Sequence, residues 1–105
     1  MGISDKAKSF SLVSVITVNY NQSLATCEML DSLYHCGYSN LEVIVVDNAS
    51  PSDNPDIIKE KFPQVKLIKN VENVGFAGGN NIGISHSKGT YLFLVNNDTI
   101  IPKIV

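Results

Sequence analysis

The sequence predicts an α/β fold, a three-layer α/β/α sandwich built on a mostly parallel sheet. Two observations carry this. Apolar, largely β-branched runs at residues 12–18, 41–46, 65–68 and 91–95 alternate with helical stretches, and three of these runs stop abruptly on Asn or Asp. Strands alternating with helices mean βαβ units, and right-handed crossovers cover both faces of a parallel sheet. A chain of 105 residues is the size of one core. Residues 1–11 read as an N-terminal tail and 12–105 as the domain.

Residues 12–18 are apolar except for Ser14 and Thr17 and end at Asn19-Tyr20-Asn21, a buried strand meeting a polar loop. In residues 23–36, Leu24, Cys27, Leu30, Leu33 and Tyr34 recur at helical spacing. Asn21 or Ser23 is available as the cap and Gly37 as the stop. The second strand, 41–46, meets Asp47-Asn48 in the same sudden way. Asn54-Pro55 starts a short helix carrying Ile57, Ile58 and Phe62 that ends before Pro63. A third strand follows at 65–68. Beyond the glycine-rich segment 75–83 a helix runs to Ser87, and Gly89 breaks it before the strand 91–95, which stops at Asn96-Asn97-Asp98.

Ligands of such sheets sit outside the carboxyl ends of the strands, where neighbouring crossovers diverge. Asn19, Asn21, Asp47, Asn48, Asn96 and Asp98 are therefore expected to converge on one polar cleft. Asp47 can serve a nucleotide's base or ribose, or it can cap the next helix. Gly75, Gly78, Gly79 and Gly83, with Asn80 and Asn81 between them, make a poor helix start. They either let a ligand approach the backbone closely or allow a tight contact between helix and sheet. Asn96 and Asp98, one residue apart past a strand, can both reach a divalent cation that also grips a diphosphate, or they can form an Asx-type turn.

Several classes are excluded. The glycines do not form GxGxxG and do not follow the first strand, so no Rossmann dinucleotide site is present. Lys88-Gly89-Thr90 is not the Gly-Lys-Thr of a P-loop. With 8 Lys+Arg against 10 Asp+Glu, a net charge of -2 and scattered basic residues, charge draws the chain to no nucleic acid. At 44% apolar and 17% charged residues it packs rather than staying disordered. Cys27 and Cys36 lack zinc-ligand spacing and read as reduced thiols of a cytoplasmic protein. His35 and His86 have no ligand-spaced partners. No stretch approaches the roughly 18 apolar residues of a membrane span, and the Asn-x-Ser/Thr triplets at Asn21, Asn48 and Asn97 are accidents of an Asn-rich sequence.

Four segments, VSVITVNYN at 13–21, LEVIVVDNAS at 41–50, NVGFAGGNNIGI at 73–84 and YLFLVNNDT at 91–99, resemble in this order the N-terminal half of family 2 glycosyltransferases, especially the bacterial rhamnosyltransferase-like branch. The resemblance implies a GT-A fold, the Rossmann-like donor half of a nucleotide-diphospho-sugar transferase. It also implies transfer of a sugar from a nucleoside-diphosphate sugar to an acceptor with inversion. It places Asn19, Tyr20 and Asn21 beside the nucleoside and Asp47 on the base or ribose, next to Asn48. Gly75, Gly78, Gly79, Asn80, Asn81 and Asn96 then line the donor pocket.

Asp98 matches the last residue of the family's DxD motif, expected to hold Mg²⁺ or Mn²⁺. The first position is Asn96, which leaves one metal-facing carboxylate. The catalytic base lies beyond this region in the family, so no catalytic residue is assigned here, and the chain is expected to bind donor at most. The branch favours dTDP-rhamnose or a UDP-sugar as donor and a saccharide or lipid-linked acceptor, in cell wall or polysaccharide biosynthesis, with the parent protein in the cytoplasm or at the inner membrane face. A sheet cut after its fourth strand is expected to self-associate. The rival readings are a flavodoxin-like receiver with Asp47 as phospho-acceptor, which lacks the acidic pair such a domain needs where Asn19 and Asn21 stand, and an inactive nucleotide-binding scaffold.

Overall fold

The alternation of apolar runs and helical stretches folds as expected in the computed structural model, which describes residues 10–103. The order is β1 (Val13–Asn19), α1 (Ser23–Tyr34), β2 (Leu41–Asp47), α2 (Asp56–Lys61), β3 (Lys66–Lys69), α3 (Gly75–Ser85) and β4 (Tyr91–Leu94). The strands form one four-stranded sheet in the order β3-β2-β1-β4, and every pairing is parallel. The tail expected at the N-terminus lies, through residue 9, outside the described residues. No helix among the described residues is long and apolar enough to cross a membrane.

Strand side chains alternate between two cores. Val15, Val43 and Val45 pack with Met29, Leu30 and Leu33 of α1 and Ile58 of α2 on one face. Ile16, Ile44 and Val46 pack with Ile82 and Ile84 of α3 on the other. The central strands are thus covered on both sides, which is why they read as nearly continuous apolar runs.

The helix ends differ from the sequence expectation. Neither Asn21 nor Ser23 caps α1 with its own side chain. Instead Asp53, from the loop before α2, accepts the Ser23 amide at 2.9 Å and also the Ser23 hydroxyl. Asn21 has φ +57° and forms the turn ahead of the helix. At the other end the amides of His35 and Cys36 turn back to the carbonyls of Ser32 and Leu33, so α1 closes two residues early, at Tyr34. The helix placed after the glycines in fact takes them in and ends at Ser85.

Packing explains that glycine-rich helix. A Cβ at Gly83 would lie 2.4 Å from Cγ2 of Ile16, and one at Gly79 would lie 2.9 Å from Cγ2 of Val18. Both distances are too short, so α3 approaches the sheet as closely as it does because these positions carry no side chain. Burial of the opposed apolar faces offsets the poor helix propensity of glycine.

The amino ends of the strands are clipped together. Ser14 Oγ donates to Glu42 Oε1 at 2.7 Å, the Lys88 amide donates to the same oxygen at 2.8 Å, and the Gly89 amide donates to Ser14 Oγ at 2.8 Å. This clip delivers the chain into β4. β4 itself is apolar and open: Tyr91, Leu92, Phe93 and Leu94 are 41–62% exposed. The opposite edge strand, β3, carries Lys66 and Lys69, charges that discourage edge pairing; β4 carries none.

Gly83→Ala should destabilise the fold by about 1–2 kcal/mol in urea unfolding, the overpacking cost less the gain in helix propensity. Gly78→Ala, whose Cβ would meet only the exposed Val74 side chain, should be neutral or stabilising. The Glu42 carboxyl is pushed up by burial but pulled further down by the Ser14 hydroxyl, the Lys88 amide and the charges of Lys66 and Lys88. Its pKa when folded is therefore below its unfolded value. The stability it adds is present above the usual carboxylate range of about pH 4 and is lost as pH falls through the folded value. Urea midpoints measured down the acid range should fall less steeply in Glu42→Gln than in the wild type.

Candidate functional site

Chain order and sheet order part company at β1. Successive strands β1, β2 and β3 step one way, and β4 returns to the far side of β1. At such a reversal the loops leaving the carboxyl ends diverge and open a crevice. A cleft of about 360 Å³ lies there. Val18, Tyr20 and Gln22 line it from β1 and its loop, and Asn96, Asn97 and Asp98 from the turn after β4. Asn48, Asn73, Gly75 and Phe76 complete it from the loop after β2 and the start of α3. A wider hollow between α2 and β3, of about 600 Å³, is lined by Asp56, Lys59, Glu60, Lys66 and Leu67. It lies away from the carboxyl ends of β1 and β4.

The residues expected to form one polar cleft divide into a lining and a foundation. Tyr20 (43% exposed), Asn48, Gly75, Asn96 and Asp98 line the opening. Asn19 and Asp47 lie beneath it, at 0% and 2% exposure. Strand parity puts Asn19 on the same side as Val15 and Thr17, facing α1. Its Nδ2 donates to Asp47 Oδ1 at 2.9 Å and to Ser23 Oγ at 3.2 Å, and its Oδ1 accepts the Thr26 hydroxyl at 2.8 Å.

Asp47 also accepts the Ser50 hydroxyl at 2.6 Å on Oδ1 and the Ser50 amide at 3.0 Å on Oδ2. Both its oxygens are thereby engaged inside the protein, so Asp47 shapes the floor of the cleft and does not line it. Ser50 Oγ in turn accepts the Asn21 amide at 2.8 Å, and Asn21 Oδ1 accepts the Ser52 amide at 3.0 Å. Asn21 thus fixes the loop that presents Tyr20. On α3, Gly79 and Asn80 are buried and Asn81 is exposed; none of these, nor Gly78, is among the residues lining the cleft.

Asn48 fastens the α3 side. Its backbone amide donates to the Asn19 carbonyl at 2.9 Å, its Oδ1 accepts Asn70 Nδ2 at 2.9 Å, and its Nδ2 donates to the Gly75 carbonyl at 2.9 Å. Gly75 needs its flexibility here, with φ +82° where the chain turns into α3. Burial pushes the Asp53 carboxyl up, but the hydroxyl and amide of Ser23, the Asn19 side chain and the Asn54 amide outweigh it and hold it below the usual carboxylate range. Asp53 therefore stays ionised at neutral pH beside the start of α1, where a negative charge is favoured.

Some contributors carried no sequence signal. Thr26 sits mid-helix, and Asp53 is 30 residues from the Ser23 amide it caps. Asn70, directly after β3, was findable: it is the counterpart of the Asn or Asp that ends the other strands. No group of three or more His, Cys, Asp or Glu side chains able to hold a metal occurs among the described residues.

A profile of the family described as Glycosyl transferase family 2 matches residues 14–104. The Escherichia coli UDP-Glc:alpha-D-GlcNAc-diphosphoundecaprenol beta-1,3-glucosyltransferase WfaP is 34% identical over 88 residues, 83% of this chain and 35% of that protein. S. aureus TarS in complex with UDP-GlcNAc aligns with a TM-score of 0.75 at 28% identity, over 82% of this chain and 26% of that one. The mannosyltransferase PcManGT from Pyrobaculum calidifontis, in complex with GDP-Man and Mn²⁺, aligns with a TM-score of 0.75 at 30% identity, over 86% of this chain and 28% of that one. The chain spans about a third of the length of the curated relatives it matches. Its parallel sheet with helices on both faces is the corresponding part of the GT-A fold. The profile match runs from within β1 to beyond β4, and the chain belongs to glycosyl transferase family 2.

Proposed function

We propose that the cleft binds the nucleoside diphosphate of an activated sugar, and that this chain is the donor-binding part of an inverting glycosyltransferase. The observation that carries the proposal is the meeting of Tyr20, Asn96 and Asp98 in one opening at the point where strand order reverses. The nucleoside is assigned to the side of Tyr20 and the β1 loop, and the diphosphate to Asn96 and Asp98. The two structural neighbours, which hold UDP-GlcNAc and GDP-Man, support a ligand of this class. A UDP-sugar or dTDP-rhamnose as donor, a saccharide or lipid-linked acceptor, and a parent protein in the cytoplasm or at the inner membrane face complete the reading.

The lining fits a divalent cation for a definite reason. It contains no Lys or Arg, and its one acidic side chain is Asp98. A diphosphate beside a bare carboxylate is repelled, whereas Mg²⁺ or Mn²⁺ takes one or two carboxylates and fills its remaining positions with phosphate oxygens and water. Asp98, with the Asn96 amide oxygen nearby in sequence, would hold the ion. When bound, it neutralises charge growing on the leaving diphosphate.

Transfer with inversion forms a bond from the acceptor oxygen to the anomeric carbon as the bond to the diphosphate breaks, and the acceptor hydroxyl loses its proton to a base on the opposite side. Asp47 is enclosed by Asn19 and Ser50, and Asp98 is on the leaving-group side. The proposal therefore assigns the base to a residue outside this cleft. The same enclosure of Asp47 leaves the receiver reading without an accessible phospho-acceptor.

Thermal unfolding with UDP, GDP and dTDP and their sugars, with and without Mn²⁺, checks the proposal. One nucleotide should stabilise the chain in the presence of Mn²⁺, by roughly 2.7 kcal/mol at a hundredfold excess over Kd. Asp98→Ala should abolish the part that depends on Mn²⁺, and Tyr20→Ala should weaken binding about tenfold through lost base stacking. No stabilisation by any nucleotide would overturn it. Self-association through β4 is a separate expectation, and a chain that sediments as a monomer at every concentration would remove it.

A further inference from the structure

We propose that Thr26 of α1, which does not line the cleft, is a positioning residue for Asp98, and that its hydroxyl acts through Asn97. The inference rests on the assignment of Asp98 as the carboxylate of the donor cleft.

The ladder between β4 and β1 ends at Leu94, with one further bond from the Val95 amide to the Ile16 carbonyl at 3.0 Å. Beyond it, Asn96 and Asp98 are exposed in a turn closed by the Thr99 amide on the Asn96 carbonyl at 3.1 Å. A turn on a four-residue edge strand has little of its own to hold it. Two bonds tie it and the chain after it to α1. Asn97 Nδ2 donates to Thr26 Oγ1 at 3.1 Å, and the Ile101 amide donates to Ser32 Oγ at 2.8 Å.

Thr26 is completely buried, and its hydroxyl is used twice. Its single proton goes to Asn19 Oδ1 at 2.8 Å, so a lone pair is left to receive Asn97. Only a hydroxyl side chain of this size can donate to one amide and accept from another at that spot. The result is a chain of hydrogen bonds from Asp47 through Asn19 and Thr26 to Asn97. It references the turn after β4 to the carboxyl ends of β1 and β2 and to α1. The residue beside Asp98 is thus held at a fixed place relative to the Tyr20 loop on the other side of the cleft.

Amide hydrogen exchange followed by NMR, together with UDP titration with and without Mn²⁺, tests this. In Thr26→Val the exchange of the Thr99 and Ile101 amides should accelerate roughly fivefold to tenfold while that of Val45 in β2 does not, reflecting the lost buried hydrogen bond. The gain in UDP affinity given by Mn²⁺ should fall more than the affinity without metal. Thr26→Ser should restore both. Thr17→Val makes the same chemical change at a buried hydroxyl that has no hydrogen-bond partner among the described residues, and it should move neither reading.

Asn97→Ala breaks the link from its other end and spares the bond between Thr26 and Asn19, so it decides the question even if Thr26→Val fails to fold. Wild-type exchange at Thr99 and Ile101 in Asn97→Ala, or in folded Thr26→Val, would overturn the proposal. If UDP fails to bind the wild type with Mn²⁺, the donor-cleft assignment falls, while the exchange rates still decide whether Thr26 holds the turn.

Discussion

The hydrogen bond between the Asn19 amide and the Asp47 carboxylate is the constraint on which the carboxyl edge of this sheet depends. Asn19 and Asp47 are register partners at the ends of the two central strands, and both are buried. A buried amide and a buried carboxylate must each be satisfied on every side or the fold loses several kcal/mol. Ser23, Thr26 and Ser50 meet that demand, each from a different direction. In doing so they fix where α1 begins, how the loop after β2 turns and where the Asn21 loop lies. The cleft above inherits its shape from polar groups that never reach its surface.

Much of the fold was legible because strand burial leaves a plain trace. The two central seven-residue strands are apolar but for a few positions and need helices on both faces, and the cores on the two sides of the sheet supply them. The polar edge was legible because the runs break so sharply at Asn19, Asp47 and Asn96. What the residue types did not disclose was the division of labour among these groups. Asn19 and Tyr20 are neighbours, yet strand parity sends one into the core and leaves the other at the opening. Asp47 ends a strand beside the cleft just as a ligand-binding carboxylate would, and only the positions of Ser50 and Asn19 show that its oxygens are engaged.

The glycines give the opposite lesson. Their density between residues 75 and 83 fits a ligand-approached loop and a tightly packed helix equally well, and the deciding fact is the proximity of Ile16 and Val18, which are about sixty residues away in sequence. Local propensity disfavours a helix there, and tertiary packing overrides it. The capping of α1 by Asp53 is likewise nonlocal. The cleft that results is lined by amides and has no Lys or Arg in its lining.

The near contact of α3 with the sheet has a mechanical consequence. Where Gly79 and Gly83 let the helix backbone rest almost on Val18 and Ile16, sliding α3 by even an ångström would drive it into a close-packed core with low compressibility. The wall of the cleft that carries Gly75 and Phe76 is therefore stiff. The opposite wall, a short turn following a four-residue edge strand, has no such packing behind it and is held by two hydrogen bonds to α1. Any change in the width of the opening would therefore have to break those two bonds before it disturbed the packed side.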